Sequence, residues 1–212
     1  MKLYKIVNCI DIPNIVNRDD NMDGSKDYLS KRTGTKTIKT PRLVLRKILP
    51  TDFFSAVKWY RDPELYRFSR SHNPPSVMQT LRFTVGRLRK YGNKSYYYWA
   101  VVYKGKMRGF VEITESKKRE NYFLVHYKLD ISLNNQGITT EALTAVIEYL
   151  KTQGAYYLIG YCDVKNIGSK RVMEKAGMES FGSPETNPKF HYEDGTMGDL
   201  YSFRIKLNDK PQ

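Results

Sequence analysis

Residues 42–48 place Leu43 and Leu45 on one side and Val44, Arg46 and Ile48 on the other, between Pro41 and Pro50. That alternation predicts a strand. Thr51 or Asp52 is then placed to cap a short helix that carries Phe53, Phe54, Val57 and Trp59 and stops near Asp62-Pro63. Ser76 and Gln79 have the spacing of a reciprocal cap, and Val77, Leu81, Val85 and Leu88 recur at helical intervals as far as Gly92. Residues 96–103 are apolar or aromatic at nearly every position, as in a strand covered on both faces. Lys104-Gly105 turns that strand into a second one over residues 107–114. Apolar and polar residues interleave again over 122–133.

The strongest helical pattern covers residues 137–153, where Ile138, Ala142, Val146 and Leu150 fall four apart beside Leu143 and Ile147. A short strand over 156–161 precedes a helix capped by Asn166, carrying Val172, Met173 and Ala176 and ending at Gly177. Strands over 178–181 and 200–207 close the chain around a polar loop containing Pro184, Pro188 and Gly195. The elements predict an α/β (α+β) chain, a mostly antiparallel sheet with helices. Residues 1–39 read as an extension with one packed segment around Ile10, Ile12, Ile15 and Val16, residues 40–208 as one domain, and 209–212 as a tail.

Composition narrows the class. The 212 residues are 40% hydrophobic and 27% charged, with 14 Gly and 9 Pro, which excludes collagen-like and wholly disordered chains. No apolar run approaches the roughly 20 residues of a membrane span, and Lys5, Asn8, Asp11 and Pro13 interrupt what a signal peptide needs unbroken. A cytoplasmic protein without membrane attachment is expected. Cys9 and Cys162 stand in no metal-ligand spacing, so neither a disulfide scaffold nor a metal is expected. The net charge is +14, of which residues 1–40 contribute +3 and the remainder +11. An excess on the folded body attracts nucleic acid or phosphate-rich small ligands.

The informative junction is residues 129–143, where a strand passes through Asn134-Asn135-Gln136-Gly137 into the strongest helix. Unpaired N–H groups and the positive helix end bind anions there, and a glycine lets a phosphate approach the backbone. A plain capping turn has the same composition. Downstream, residues 163–178 contain Asn166, Ser169, Glu174, Lys175 and Gly177 in an Asn-x-x-Ser…Glu-Lys-x-Gly pattern.

In this order and spacing the two motifs resemble those of the GNAT N-acetyltransferases. Their phosphate loop usually reads Arg or Gln, two residues, Gly, one residue, then Gly or Ala; here Asn134 and Thr139 depart from it and Gly137 is kept, followed by the frequent Thr140-Glu141-Ala142. Thr40-Pro41-Arg42-Leu43-Val44-Leu45-Arg46, Arg61-Asp62-Pro63-Glu64 and Glu193-Asp194-Gly195…Asp199 are similar to the RimJ/RimL-type branch, which acetylates ribosomal-protein N-termini. The resemblance covers residues 40–207 and implies a sheet with splayed central strands holding acetyl-CoA. It implies that the backbone of Leu129, Asp130 and Ile131 holds the pantetheine arm. Asn134, Asn135, Gln136, Gly137, Ile138, Thr139 and Thr140 would wrap the pyrophosphate, with Asn166 and Ser169 reaching the arm from the next helix.

Many members use a tyrosine of the last helix to protonate the departing thiolate; Met173 occupies that position, and Ser169 becomes the expected contact to sulfur. Amine attack on a thioester requires a neutral amine, while an α-amine titrates near about 8 and a lysine near about 10.4, so a base is needed. Glu112, Asp130 and His191 are the candidates. His72 and His126 carry no such context, and the Tyr96–Trp99 aromatic run reads as core. The expected function is acetyl transfer from acetyl-CoA to a primary amine, a protein N-terminus or a small molecule, and oligomers are compatible with it. The chain's charge favours an acidic or neutral acceptor. A second reading, resting on Met173 and the altered loop, is a weakly active protein of the same fold that docks on RNA or a ribonucleoprotein.

Overall fold

The structure is a computed structural model that describes residues 32–116, 119–187 and 189–209. Its strands are β1 (Ile38–Lys39), β2 (Leu43–Arg46), β3 (Tyr97–Tyr103), β4 (Lys106–Glu115), β5 (Tyr122–Leu129), β6 (Tyr157–Asp163), β7 (Glu179–Ser180), β8 (Phe190–His191), β9 (Met197–Gly198) and β10 (Leu200–Lys206). Its helices are α1 (Asp52–Trp59), α2 (Val77–Lys90), α3 (Ile138–Lys151) and α4 (Ile167–Lys175), with single 3₁₀ turns at Pro63–Tyr66 and Ile131–Leu133. Eight strands form one sheet in the order β1-β2-β3-β4-β5-β6-β10-β7, and β8 pairs with β9 in a separate hairpin. Every described pairing is antiparallel except β5 with β6.

That exception shapes the molecule. β5 and β6 pair only where Tyr122–Leu124 meets Tyr157–Ile159, and beyond Leu124 the two strands part. The β5 edge that faces β6 therefore has no strand partner from Val125 onward, and a wedge opens at the centre of the sheet.

Helices cover both faces because β3 is apolar on both. Tyr97, Trp99 and Val101 join Phe123, Tyr127, Leu143, Val146 and Met173 in one core, while Tyr98 and Ala100 join Trp59, Tyr60, Leu65, Tyr66 and Phe110 in another. A third cluster of Ile159, Tyr161, Phe190 and Leu200 lies beneath the β8–β9 hairpin. α3 buries Ile138, Leu143, Val146, Ile147 and Leu150, each worth about 1.5–3 kcal/mol. Such packing holds the helix, and with it the N-terminus at the wedge, in one position.

Several local expectations change. The strand expected over 122–133 ends at Leu129, because Asp130 accepts the Ser132 N–H at 3.0 Å and starts a 3₁₀ turn. Thr51 is helical and makes no side-chain cap; Asp52 turns back instead to the Leu49 N–H (2.7 Å) and the Arg46 guanidinium (2.7 Å). The Ser76–Gln79 cap of α2 forms in both directions. Its apolar stripe does not turn inward, however: Val77, Leu81 and Val85 are exposed while Thr80 and Thr84 are buried. Arg87 sets that rotation, since it reaches Glu112 at 2.8 Å across the faces of Phe83 and Tyr98. The two threonines tolerate burial because their hydroxyls donate to the Ser76 and Thr80 carbonyls one turn back.

Residues 32–39 run along the end of the sheet. Buried Arg32 makes two 2.7 Å bonds to Glu115, and the Thr35 hydroxyl accepts from the Tyr98 N–H while donating to the Tyr96 carbonyl. The segment around Ile10 to Val16, and Cys9, lie outside the described residues, as do 210–212. Cys162 is buried. No helix among the described residues is long and apolar enough to cross a membrane.

Candidate active site

Residues 134–140 lie beside the mouth of the wedge. Asn135 (φ 63°) and Gly137 (φ 74°) both adopt left-handed backbone, which turns the chain sharply from the 3₁₀ turn into α3. No side chain caps α3 at Gly137, so the first-turn N–H groups keep the donors that a helix end leaves unmatched. Both amide atoms of Asn134 and the Thr139 hydroxyl are buried without a partner. Unmatched buried polar atoms are costly, and three at one turn mark a place built to receive polar ligand atoms.

A cavity of about 260 Å³ opens there, bounded by Asn134, Gly137, Thr139 and Thr140 on one side and by Gly168, Arg171 and Lys175 on the other. Arg171 and Lys175 fall four apart on α4 and give the cavity its cationic wall. The turn has Asn134 where the resembled phosphate-loop pattern has Arg or Gln, and the cations at this cavity come from α4 instead. The cradle fits a pyrophosphate: N–H donors at a positive helix end, a turn without a side chain at Gly137, and two cations opposite. Arg42 braces the turn from outside, donating to the Gln136 carbonyl at 2.8 Å and to Glu141 at 2.6 Å. Burial pushes the Glu141 carboxyl up, but the Thr40 hydroxyl and Arg42 more than offset it and hold its pKa below the usual value.

The other expected residues divide into two sets. Leu129, Asp130 and Ile131 sit at the open end of β5, with Asp130 held to Arg108 at 2.9 Å. Asn166 is buried at the start of α4 and accepts the Ser169 N–H at 3.1 Å. Ser169 is fully buried, and its Oγ lies 2.8 Å from the hydroxyl of Tyr127. Tyr127 is a β5 residue, so this hydroxyl pair joins the two walls of the wedge. Asn134 to Thr140, Asn166, Ser169 and the β5 end thus converge on one region. Asp130 and Arg108 also border an open groove of about 910 Å³ beneath α1, on whose wall Arg46 pairs with Asp52.

Glu112 and His191 do not converge with them. Glu112 faces the α1–α2 side, bound to Arg87 at 2.8 Å; burial raises its carboxyl pKa, but a hydrogen bond from His126 and the Arg87 charge bring it below the usual range. A carboxylate held in that way is a weak base. His191 is exposed on β8, opposite Met197. Its neighbour Tyr192 turns inward instead and donates to buried Asp163 at 2.5 Å. Burial, and then the Asp163 carboxylate, raise the Tyr192 pKa. Tyr192 also stacks on His72 (5.0 Å), and His72 lies 3.4 Å from Asp194. These contacts join the loops at residues 67–73 and 190–198 over the far end of the wedge.

Sequence reasoning gave no role in the site to Tyr127, Lys128, Asp163, Tyr192, Arg171 or, though it stands in the downstream pattern, Lys175. Three of them carried a readable signal. Arg171 and Lys175 show one-face spacing on a helix, and Tyr127 takes the opposite face of its strand from Lys128.

Comparison with known proteins agrees with this fold. The sequence matches the family model described as an acetyltransferase (GNAT) domain over residues 42–179, so the chain belongs to the GNAT acetyltransferases. A search of curated proteins found no significant match. Among solved structures, the GNAT-family acetyltransferase from Bacillus anthracis is similar in fold at 21% identity and a TM-score of 0.71, covering 82% of this chain and 100% of that one. The ribosomal-protein-S5-alanine acetyltransferase from Vibrio fischeri is similar at 17% identity and TM-score 0.70, covering 84% and 100%. A Salmonella typhimurium acetyl transferase, described as modifying the N-terminal serine of ribosomal protein L7/L12, is similar at 17% and 0.69, covering 82% and 100%. The fold is the GNAT fold: a central, mostly antiparallel sheet flanked by helices.

Proposed function

We propose that this chain transfers the acetyl group of acetyl-CoA directly to a primary amine, that of a protein N-terminus or of a small molecule. The observation that carries this reading is the set of unmatched buried polar atoms on Asn134 and Thr139, beside left-handed Gly137 and the cationic wall of α4. Residues 134–140 hold the pyrophosphate, the open edge of β5 at Leu129 to Ile131 holds the pantetheine arm, and Asn166 reaches the arm from α4. The sulfur then lies in the wedge near Ser169.

When acetyl-CoA is bound it supplies an activated acyl carbon. An unpaired backbone N–H on the open edge of β5 stabilises the oxyanion that forms there. Ser169, hydrogen-bonded to Tyr127, donates the proton that the leaving thiolate requires. Thioester aminolysis of this kind uses no metal. The similar structures named for acetylating ribosomal proteins make N-termini beginning in Ser or Ala the first acceptors to test, and such acceptors fit a reaction in the cytoplasm.

Thermal unfolding with and without acetyl-CoA, in the wild type and in Gly137→Glu, tests the reading. Gly137 has positive φ and its Cβ position lies 3.4 Å from Arg42, so the variant strains the turn and sets a negative charge against the phosphates. Stabilisation of the wild type and none of the variant is expected. The companion assay follows thiol release with short peptides beginning in Ser or Ala. An unchanged wild-type melting temperature at saturating acetyl-CoA would overturn the proposal.

A further inference from the structure

Direct transfer leaves one role unfilled, since Glu112 is held by Arg87 and His126, Asp130 is held by Arg108, and His191 is exposed on the hairpin. We propose that Lys128 is the base that accepts the proton of the acceptor amine. The inference rests on the acetyltransferase reading above.

Its first support is position. Lys128 lies on the unpaired stretch of β5, on the same face of the sheet as Leu124, which packs in the cluster beneath the β8–β9 hairpin. Its Nζ is bonded to Leu65 and Ser69, which lead into the loop at residues 67–73, and that loop is tied to the hairpin by the His72–Tyr192 stack and by the Glu193 N–H, which donates to the Arg70 carbonyl. Tyr127, one residue earlier, points to the opposite face and reaches Ser169. Lys128 and Tyr127, the hydroxyl that backs Ser169, are therefore consecutive residues on the two faces of a single strand.

The second support is what surrounds the amine. Lys128 is 5% exposed, and its Nζ donates to the Ser69 hydroxyl at 3.0 Å and the Leu65 carbonyl at 3.4 Å. The Tyr66 ring lies 3.6 Å from Nζ and the Tyr60 ring 5.8 Å. From β4 comes Phe110; two residues back along β5 is His126, whose partner Glu112 is neutralised by Arg87 of α2. Lys128 forms no ion pair among the described residues, and burial alone lowers its pKa to about 7. Lysine is suited to such a role because its compact charge responds strongly to burial.

The proton count closes. The acceptor arrives as R–NH3+ and gives one proton to neutral Lys128. Its lone pair forms the N–C bond, and the C–S bond breaks with its electrons on sulfur. The thiolate takes a proton from the Ser169–Tyr127 pair, which the second nitrogen proton replaces, and Lys128 releases its proton to solvent with the product.

The experiment measures kcat/KM against pH for a Ser-initiated peptide and for the same peptide Nα-blocked with an internal lysine. For the wild type the rate should rise with pH through about 7. Lys128→Met and Lys128→Arg should each lose about a hundredfold or more while retaining stabilisation by acetyl-CoA. Ser69→Asp, which sets a carboxylate beside the ammonium, should move the rise upward by about one pH unit or more. In parallel, 13C-labelled lysine is titrated by NMR, the Lys128 signal being identified by its absence in Lys128→Met. A midpoint near 7 supports the proposal even where neither peptide is a substrate, and one above 9 overturns it. Full activity in Lys128→Met overturns it too, whereas absence of any acetyl-CoA stabilisation in the wild type overturns the acetyltransferase reading itself.

Discussion

The two faces of β5 solve opposite problems with adjacent residues. On the α3–α4 face, Tyr127 is fully buried and its hydroxyl is matched by Ser169, so the polar group is satisfied and the two walls of the wedge are joined. On the α1–α2 face, Lys128 is as deeply placed, yet it has a hydroxyl, a carbonyl and two aromatic rings in place of a carboxylate. A matched hydroxyl contributes stability. An ammonium in such a place costs stability, and the fold tolerates it because the group can give up its proton. What the contrast teaches is that adjacent residues of one strand can bury a polar group in two ways, one by matching it with a partner hydroxyl and the other by lowering the pKa of an unpaired amine.

The largest effect expected from breaking this contrast is at the cofactor end. Gly137→Glu should abolish the acetyl-CoA stabilisation, which for the wild type at a hundredfold excess over Kd is worth about 2.7 kcal/mol, read as a shift in Tm. Lys128 should keep its titration in that variant.

Next is the stability linkage of Lys128. Its folded pKa, about 7, lies below the unfolded value of about 10.4, so the unfolded chain binds the extra proton between those two. Wild-type stability should therefore rise with pH across that window. Urea unfolding from pH 6 to 10 should show the slope in the wild type and lose it in Lys128→Met. A variant that is inactive while relieved of this pH dependence separates the catalytic role from a structural one.

Removing the match on the other face should cost less. Ser169→Ala takes from the buried Tyr127 hydroxyl its 2.8 Å partner and leaves the Ser169 carbonyl at 3.3 Å, for a loss of about 1–3 kcal/mol, and kcat should fall more than KM changes. Tyr127→Phe in the same background should add little to either loss if the two hydroxyls act as a pair, which a double-mutant cycle measures.

The smallest effects should come from the carboxylate and imidazole chosen from sequence. Glu112→Gln weakens the Arg87 contact and should lower stability by about 1–3 kcal/mol without removing the rise in kcat/KM near pH 7. His191→Ala, at an exposed position, should stay within about 0.5 kcal/mol of the wild type with activity unchanged.

Much of the fold was readable. The four-residue spacing of Ile138, Ala142, Val146 and Leu150 marks α3 because a helix buried on one face repeats at that interval, and the Ser76–Gln79 cap marks the start of α2 because its bonds are local. The turn into α3 was readable for the same reason, since Gly137 and the helix start that follows it are neighbours in the chain. The burial face of α2 was not. Its most apolar stripe is exposed, because an ion pair to Glu112, distant in sequence, sets the rotation of the helix.

The same limit governs the site. By itself the sequence determined the elements, the left-handed turn at the start of α3 and the family pattern, all of which depend on residues a few positions apart. Only the tertiary structure decided that Arg171 and Lys175 line the cavity beside Gly137, that Tyr127 meets Ser169 and that Lys128 is buried against Leu65, Tyr66 and Ser69. Those facts depend on where β5 and β6 cease to pair. Desolvation, which makes a lysine a base, is a property of everything packed around it, and no stretch of sequence near Lys128 contains Tyr60, Leu65, Tyr66 and Ser69.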